Sequence, residues 1–196
     1  MNKLEKVFSR KYVLASKSQR RGNLLYQIGL NFISIDSGAK ERDDPEAKPL
    51  ELVKHNALLK SRKVAFNFKD EIVIGADTIV AFEGEILNKP ADHKEAVKYL
   101  RMLSGKKHYV YTGFNIIDTR SGKERYDYVR TTVYFRELEK YEIDYYVKTF
   151  EPLDKAGAYG IQDDFACLFI DKINGDYYNI VGLPLERLYK NLTEIV

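Results

Sequence analysis

The sequence predicts an α/β protein with a partly antiparallel sheet. Short β-branched apolar runs alternate with stretches of helical spacing. Two long runs, 108–118 and 126–135, meet around Ser121-Gly122 as antiparallel neighbours would. A third sign is a short hairpin over 81–87 that turns at Glu83-Gly84.

Composition sets the outer limits. A chain of 196 residues fits one domain. Hydrophobic residues at 44% supply a sizeable core, and charged residues at 31% keep the surface solvated. The 32 basic and 29 acidic residues leave a net charge of +3, with no long basic run. That balance predicts no stable nucleic-acid partner, and the scattered tyrosines do not form an RNA-stacking set. One cysteine, Cys167, excludes a disulfide framework and a zinc cluster. It fits a reducing cytosol, so a cytoplasmic location is expected. Its apolar neighbours predict a buried thiol. The apolar run 12–15 is too short for a signal peptide. No run approaches membrane-spanning length, so no membrane partner is expected.

The elements follow in order. Residues 12–15 read as a strand. Ser18 is a suitable N-cap for a helix that runs to Ile28 and closes at Gly29. Arg20 and Arg21 fall in its first turn, where the helix dipole disfavours cations. Either an anion joins them there or both are solvated. Residues 32–35 form a second strand, followed by a polar loop over 37–48 that contains Glu41. Pro49 opens a helix to about Phe66. Its apolar stripe is Val53, Ala57 and Val64, with Lys60 in the middle. Lys60 either snorkels outward or points into a polar pocket.

The run 72–80 reads as a buried strand that ends at Asp77, with the small residues Gly75 and Ala76 just before the acid. An acid amid so much apolar surface needs a partner. A metal, a cation, a substrate or backbone N–H groups in a turn would each serve. A helix follows over 92–103, then the two long strands. A further helix over 137–149 is expected to contribute apolar surface through Tyr141, Tyr145 and Val147. The loop 151–162 is glycine-containing and long enough to carry function. A strand over 165–172 and a last helix opened by Gly182-Leu183-Pro184 complete the chain.

The chemistry-bearing residues are Ser16, Arg20, Arg21, Lys60, Lys89 and Lys155 on the basic side, with Glu41 and Asp77 as acids. Cations beside one or two carboxylates suit a polyphosphate held through a divalent metal. The three histidines, His55, His93 and His108, stand in polar settings and receive no role. There is no P-loop and no dinucleotide fingerprint.

Several motifs in a fixed order sharpen this reading. They are Leu14-Ala15-Ser16-Lys17-Ser18-Gln19-Arg20-Arg21, Gly75-Ala76-Asp77-Thr78, Leu87-Asn88-Lys89-Pro90 and Leu103-Ser104-Gly105 with His108, Thr112 and Gly113. Further on come Asp154-Lys155-Ala156-Gly157-Ala158-Tyr159-Gly160-Ile161-Gln162, Gly175-Asp176-Tyr177-Tyr178-Asn179 and Val181-Gly182-Leu183-Pro184-Leu185. In these the chain resembles the Maf family of nucleotide pyrophosphatases, the septum-formation inhibitors, over nearly its whole length.

The resemblance implies a mixed, strongly bent sheet with flanking helices and a cleft between two lobes, similar to inosine triphosphate pyrophosphatases. It implies hydrolysis of nucleoside triphosphates between the α and β phosphates, with magnesium or manganese, often by a homodimer. The 155–162 loop looks like the branch acting on dTTP and UTP rather than the 7-methyl-GTP branch. Asp77 matches the proton acceptor for the attacking water. Ser16, Arg20, Lys60 and Lys89 match the phosphate-facing set, with Arg21 beside it. Glu41 falls where a metal carboxylate is expected, together with Asp77. Gln162 matches a residue that could bond a pyrimidine edge, with Lys155 nearby. Gln19 stands where proline is usual, Ser61 where alanine is usual, and Asp163-Asp164 where a glycine is common. The older family name keeps a second expectation open, a non-catalytic nucleotide-binding regulator of cell division.

Overall fold

The computed structural model describes residues 1–44, 46–162 and 165–196. Asp163 and Asp164 lie outside the described residues. The elements run α1 (Lys3–Ser9), β1 (Tyr12–Leu14), α2 (Gln19–Gln27), β2 (Phe32–Ser34), α3 (Pro49–Ala65), β3 (Ile72–Phe82) and β4 (Glu85–Leu87). Then come α4 (His93–Leu103), β5 (Lys107–Asp118), β6 (Glu124–Phe135), α5 (Lys140–Phe150), β7 (Ile170–Asn174), α6 (Tyr177–Val181) and α7 (Leu185–Ile195). The strands form one mixed sheet in the order β2-β1-β3-β5-β6-β7, with β4 also paired to β3. This is the α/β, partly antiparallel class that the sequence predicts.

Local chemistry explains most boundaries. The Ser18 side chain accepts from the Arg21 N–H and caps α2 as expected. Gly29, at φ +74°, lets the chain leave the helix. Pro49 opens α3. Asp92 caps α4. The hairpin turns at Glu83-Gly84, pairing Phe82 with Glu85.

Four expectations need correction. Strand β3 does not end at Asp77 but continues to Phe82, because Thr78, Ile79 and Val80 suit a strand as well as the residues before the acid. The 165–172 run is not one strand. Residues Ala166–Phe169 form a 3-10 turn before β7, and Cys167 is exposed rather than buried. In α5 the inward side is Ile143, Tyr146 and Val147, while Tyr141 and Tyr145 face outward at 72% and 54% exposure. His108 is fully buried, bonded to the Tyr159 hydroxyl at 2.7 Å and edge-on to Phe135.

Strand β3 organises the rest. One edge pairs with β5 over ten consecutive positions, from Ile72 opposite Asp118 to Ala81 opposite Tyr109. The other edge forks. Its first part pairs with β1 in parallel at Ile72–Ile74, and its last part pairs with β4 antiparallel at Val80–Phe82. Asp77 stands in the fork.

The two faces of β3 differ as alternation requires. Ile72, Ile74, Ala76, Val80 and Phe82 enter the main core, which also holds Leu100, Phe114 and Leu188. On the opposite face lie Val73, Gly75, Asp77 and Ile79, and α3 packs over them. A Cβ on Gly75 would come within 2.6 Å of both the Ala57 carbonyl oxygen and the Ser61 nitrogen. The helix backbone therefore rests almost directly on the strand. Gly113, the register partner of Asp77 on β5, lies similarly close to Val53. The apolar packing on this face divides into two small clusters, one around Val13 and Val64 and one around Leu52 and Ile79. Between them sits a polar strip.

Candidate active site

The polar strip begins with the α3 stripe. Lys60 is only 6% exposed and points to β3 rather than to solvent. Its ammonium donates to Asp77 Oδ1 at 2.8 Å and to the Ala76 carbonyl at 3.3 Å. It also lies 2.7 Å from Glu41 Oε2. An ammonium has three donors, and here each has an oxygen. Asp77, also 6% exposed, takes a second bond at Oδ2 from Asn56 Nδ2 at 3.1 Å. The buried acid is thus neutralised by a buried base, which keeps either charge from standing alone in apolar surroundings.

The arginine pair of α2 divides its work. Arg21 runs back into the protein and is 9% exposed. It donates to the Gly182 carbonyl at 2.9 Å, to Thr78 Oγ1 at 3.0 Å and to Ser16 Oγ at 3.3 Å. Burial pulls its pKa below the usual arginine value, while Asp77 and Glu41 oppose that shift and favour the cation. Ser16 also accepts from the Ser18 N–H at 3.1 Å, so both of its contacts among the described residues use the oxygen. Its O–H remains a donor for a ligand.

Arg20 reaches the opposite wall, where it meets Asp154 Oδ2 at 2.7 Å. Lys155 meets the other oxygen of that acid, also at 2.7 Å. Partial burial raises the Asp154 carboxyl, but Lys155 and Arg20 outweigh it and hold the group below the usual carboxylate range. Neither arginine is simply solvated.

These groups line one open cleft of about 680 Å³, within the ordinary range of ligand sites. All nine residues singled out from the sequence border it. Besides those described, they include Lys89, exposed and with no ion partner among the described residues, and Gln162. The sequence reading passed over Asn56, Thr78 and Asp154. A signal for Asn56 existed. It lies four residues before Lys60 on the same helix face, a second polar residue in an apolar stripe. Asp154 adjoins Lys155 but offers no pattern that predicts its bond to Arg20, 134 positions away.

Among the described residues, no group of three or more His, Cys, Asp or Glu side chains is placed to hold a metal. The two carboxylates that converge on one point, Asp77 and Glu41, do so around Lys60.

Comparison with known proteins fits this geometry. Residues 11–195 match the family model described as "Maf-like protein". A protein of Dictyoglomus thermophilum named dTTP/UTP pyrophosphatase is 45% identical over 184 residues, 93% of this chain and 95% of its own. Proteins of the same name from Alkaliphilus oremlandii and Bacillus cereus are each 48% identical, covering 90% and 94% of this chain and 91% and 95% of theirs. The solved structure of the Staphylococcus aureus Ham1 protein superposes with a TM-score of 0.50 at 15% identity, over 82% of this chain and 80% of that one. At that identity it speaks for a shared fold alone. The match from Lys11 to Ile195, over the strand, helix and loops that build the cleft, shows that the chain belongs to the Maf family.

Proposed function

We propose that the protein is a nucleoside triphosphate pyrophosphatase acting on dTTP and UTP, in keeping with the names of its 45–48% identical relatives. Water cleaves the anhydride between the α and β phosphates. The products are the nucleoside monophosphate and pyrophosphate. The observation that carries the reading is the meeting of one buried acid with cations from two helices and two loops in a single cleft.

Each residue then has a task. Asp77 takes the proton of the attacking water; a carboxylate has about four acceptor positions, and Lys60 and Asn56 occupy two. Lys60 fixes the Asp77 carboxylate through Oδ1 and leaves other acceptor positions open. Arg20, Lys89 and Lys155 take the phosphate charge, and Ser16 adds a hydroxyl donor. Arg21, desolvated and fixed by three bonds, supplies a cation that needs no reorganisation during the reaction. Gln162 and Lys155 stand on the wall suited to the base.

Asp77 and Glu41 would hold a divalent metal, magnesium or manganese, through the carboxylate oxygens that Lys60 does not take, since such hard ions prefer oxygen donors. When bound, such an ion would neutralise phosphate charge and polarise the reacting phosphorus. A cytoplasmic homodimer without nucleic-acid or membrane partner completes the reading. No helix among the described residues is long and apolar enough to cross a membrane.

The test is pyrophosphate release from dTTP, UTP, GTP and 7-methyl-GTP at equal concentration, with magnesium, with manganese and with chelator. Turnover led by dTTP and UTP is expected. Preference for 7-methyl-GTP would assign the protein to that branch instead. Binding without release under every condition would leave a non-catalytic regulator.

A further inference from the structure

Asn56 joins the backbone of the loop at Arg42 to Asp77, where Lys60 joins only the Glu41 side chain to the same acid. It is 3% exposed, on the α3 face that rests on β3. Its Oδ1 accepts from the Arg42 N–H at 2.8 Å. One Nδ2 hydrogen goes to the Arg42 carbonyl at 3.1 Å, and the other goes to Asp77 Oδ2 at 3.1 Å. The side-chain amide thus pairs with both backbone groups of Arg42, as a neighbouring strand would. The orientation of the amide is not arbitrary. Turned over, it would set nitrogen against N–H and oxygen against both a carbonyl and a carboxylate.

We infer that Asn56 is a positioning residue, which holds the loop carrying Glu41 in register with Asp77 and Lys60. Glu41 precedes Arg42 directly, and its side chain is 49% exposed. The Lys60 contact is its one ion pair among the described residues. One ion pair made by a half-exposed glutamate contributes little by itself to fixing a loop. Fixing the next residue at both N–H and C=O removes most of the loop's freedom at that point. The remaining amide hydrogen bears on the second oxygen of Asp77, so the loop, the acid and α3 move as one piece. No other residue type offers the same set. Aspartate has no donor for Asp77 or for the Arg42 carbonyl, glutamine is one methylene too long, and leucine leaves both Arg42 groups unpaired.

The inference rests on the proposed pyrophosphatase reading for its kinetic part only, so two readouts are used. The first is hydrogen exchange of the Arg42 amide in the whole protein. Asn56→Ala is expected to raise that exchange at least tenfold while amides of β3 and β5 stay protected. This readout needs no turnover. The second is the steady-state kinetics of dTTP hydrolysis for Asn56→Ala and the near-isosteric Asn56→Asp, with melting temperatures to show that each is folded. Loss of a group that orients an active-site ligand typically lowers activity about 10–100-fold. That loss is expected in kcat, with KM changed less than about threefold. In a Glu41→Ala background the same Asn56→Ala change should do less, since the part of its effect that passes through the loop is already lost and only the direct bond to Asp77 remains. Unchanged Arg42 exchange would overturn the inference, as would an equal loss of kcat in both backgrounds. A wild-type protein that releases no pyrophosphate defeats the enzymatic reading, while the exchange result still decides the role of Asn56.

Discussion

Replacing Gly75 by alanine tests how closely the helix and strand must meet for the site to exist. The added Cβ would lie 2.6 Å from the Ala57 carbonyl oxygen and from the Ser61 nitrogen, and 2.8 Å from the Ser61 Cβ. Ordinary contacts begin near 3.4 Å. Two of these neighbours are helix backbone, which cannot rotate aside, so α3 must retreat by about 1 Å. Overpacking of this kind costs about 1–3 kcal/mol. The site feels the same shift. Asn56 Nδ2 now lies 3.1 Å from Asp77 Oδ2, and a further ~1 Å would break that bond. A displacement of that size in a catalytic constellation lowers rate by about 10²-fold. Urea unfolding gives the first number and pyrophosphate release from dTTP gives the second. Gly22→Ala is the control, since its Cβ would meet nothing nearer than 3.8 Å and helix propensity favours it. A Gly75→Ala protein with wild-type midpoint and turnover would refute the idea that close contact of α3 with β3 sets the site.

Asp77→Asn should stay folded and lose at least about 10²–10³ of its rate of pyrophosphate release, the usual scale for one transition-state contact; full turnover would remove Asp77 from the mechanism. Lys89→Ala should leave the melting temperature unchanged, since the side chain is exposed and without an ion partner among the described residues, and should raise KM for dTTP about tenfold. Arg20→Ala should lower kcat/KM and also raise the Asp154 pKa, which NMR titration of that carboxyl would register. His108 governs an acid sensitivity. Burial pushes its pKa down to about 3 in the folded protein, against about 6.5 in an unfolded chain. Between those values the unfolded chain binds a proton that the native state refuses, so stability falls as pH drops through that window. Each unit costs up to about 1.4 kcal/mol from this group. Urea midpoints at pH 7.5 and pH 5 should differ more for the wild type than for His108→Gln; equal differences would show that His108 does not set the slope.

Much of this fold could be read from residue order alone, where one physical cause dominates. Pro49, Ser18 and Glu83-Gly84 mark their boundaries because backbone geometry leaves few alternatives. Lys60 stood out because a cation in an apolar stripe must go somewhere. The misses have causes as well. An acid in an apolar run reads as a stop signal, yet strand pairing with β5 carries β3 straight through Asp77. The run around Cys167 is apolar enough for a buried strand, but tertiary packing folds it into a 3-10 turn that exposes the thiol. The short helices α1 and α6 each depend on a single cap, Asn2 and Asp176, and their few residues carry little periodicity. Asp154 and Arg20 meet across 134 positions, which only the assembled chain reveals.

The floor of the cleft and its walls are made of different material. Beneath Asp77, β3, β5 and β6 are joined by ladders of ten and eleven residue pairs, whereas Glu41, Arg42, Lys155 and Gln162 are carried on loops and Asp154 on a single 3-10 turn. Insertions and exchanges in such loops leave the sheet intact. The bottom of the cleft can therefore stay constant while its rim is rewritten. A programme to redirect the protein toward other nucleotides should graft rim segments and leave the three central strands as they are.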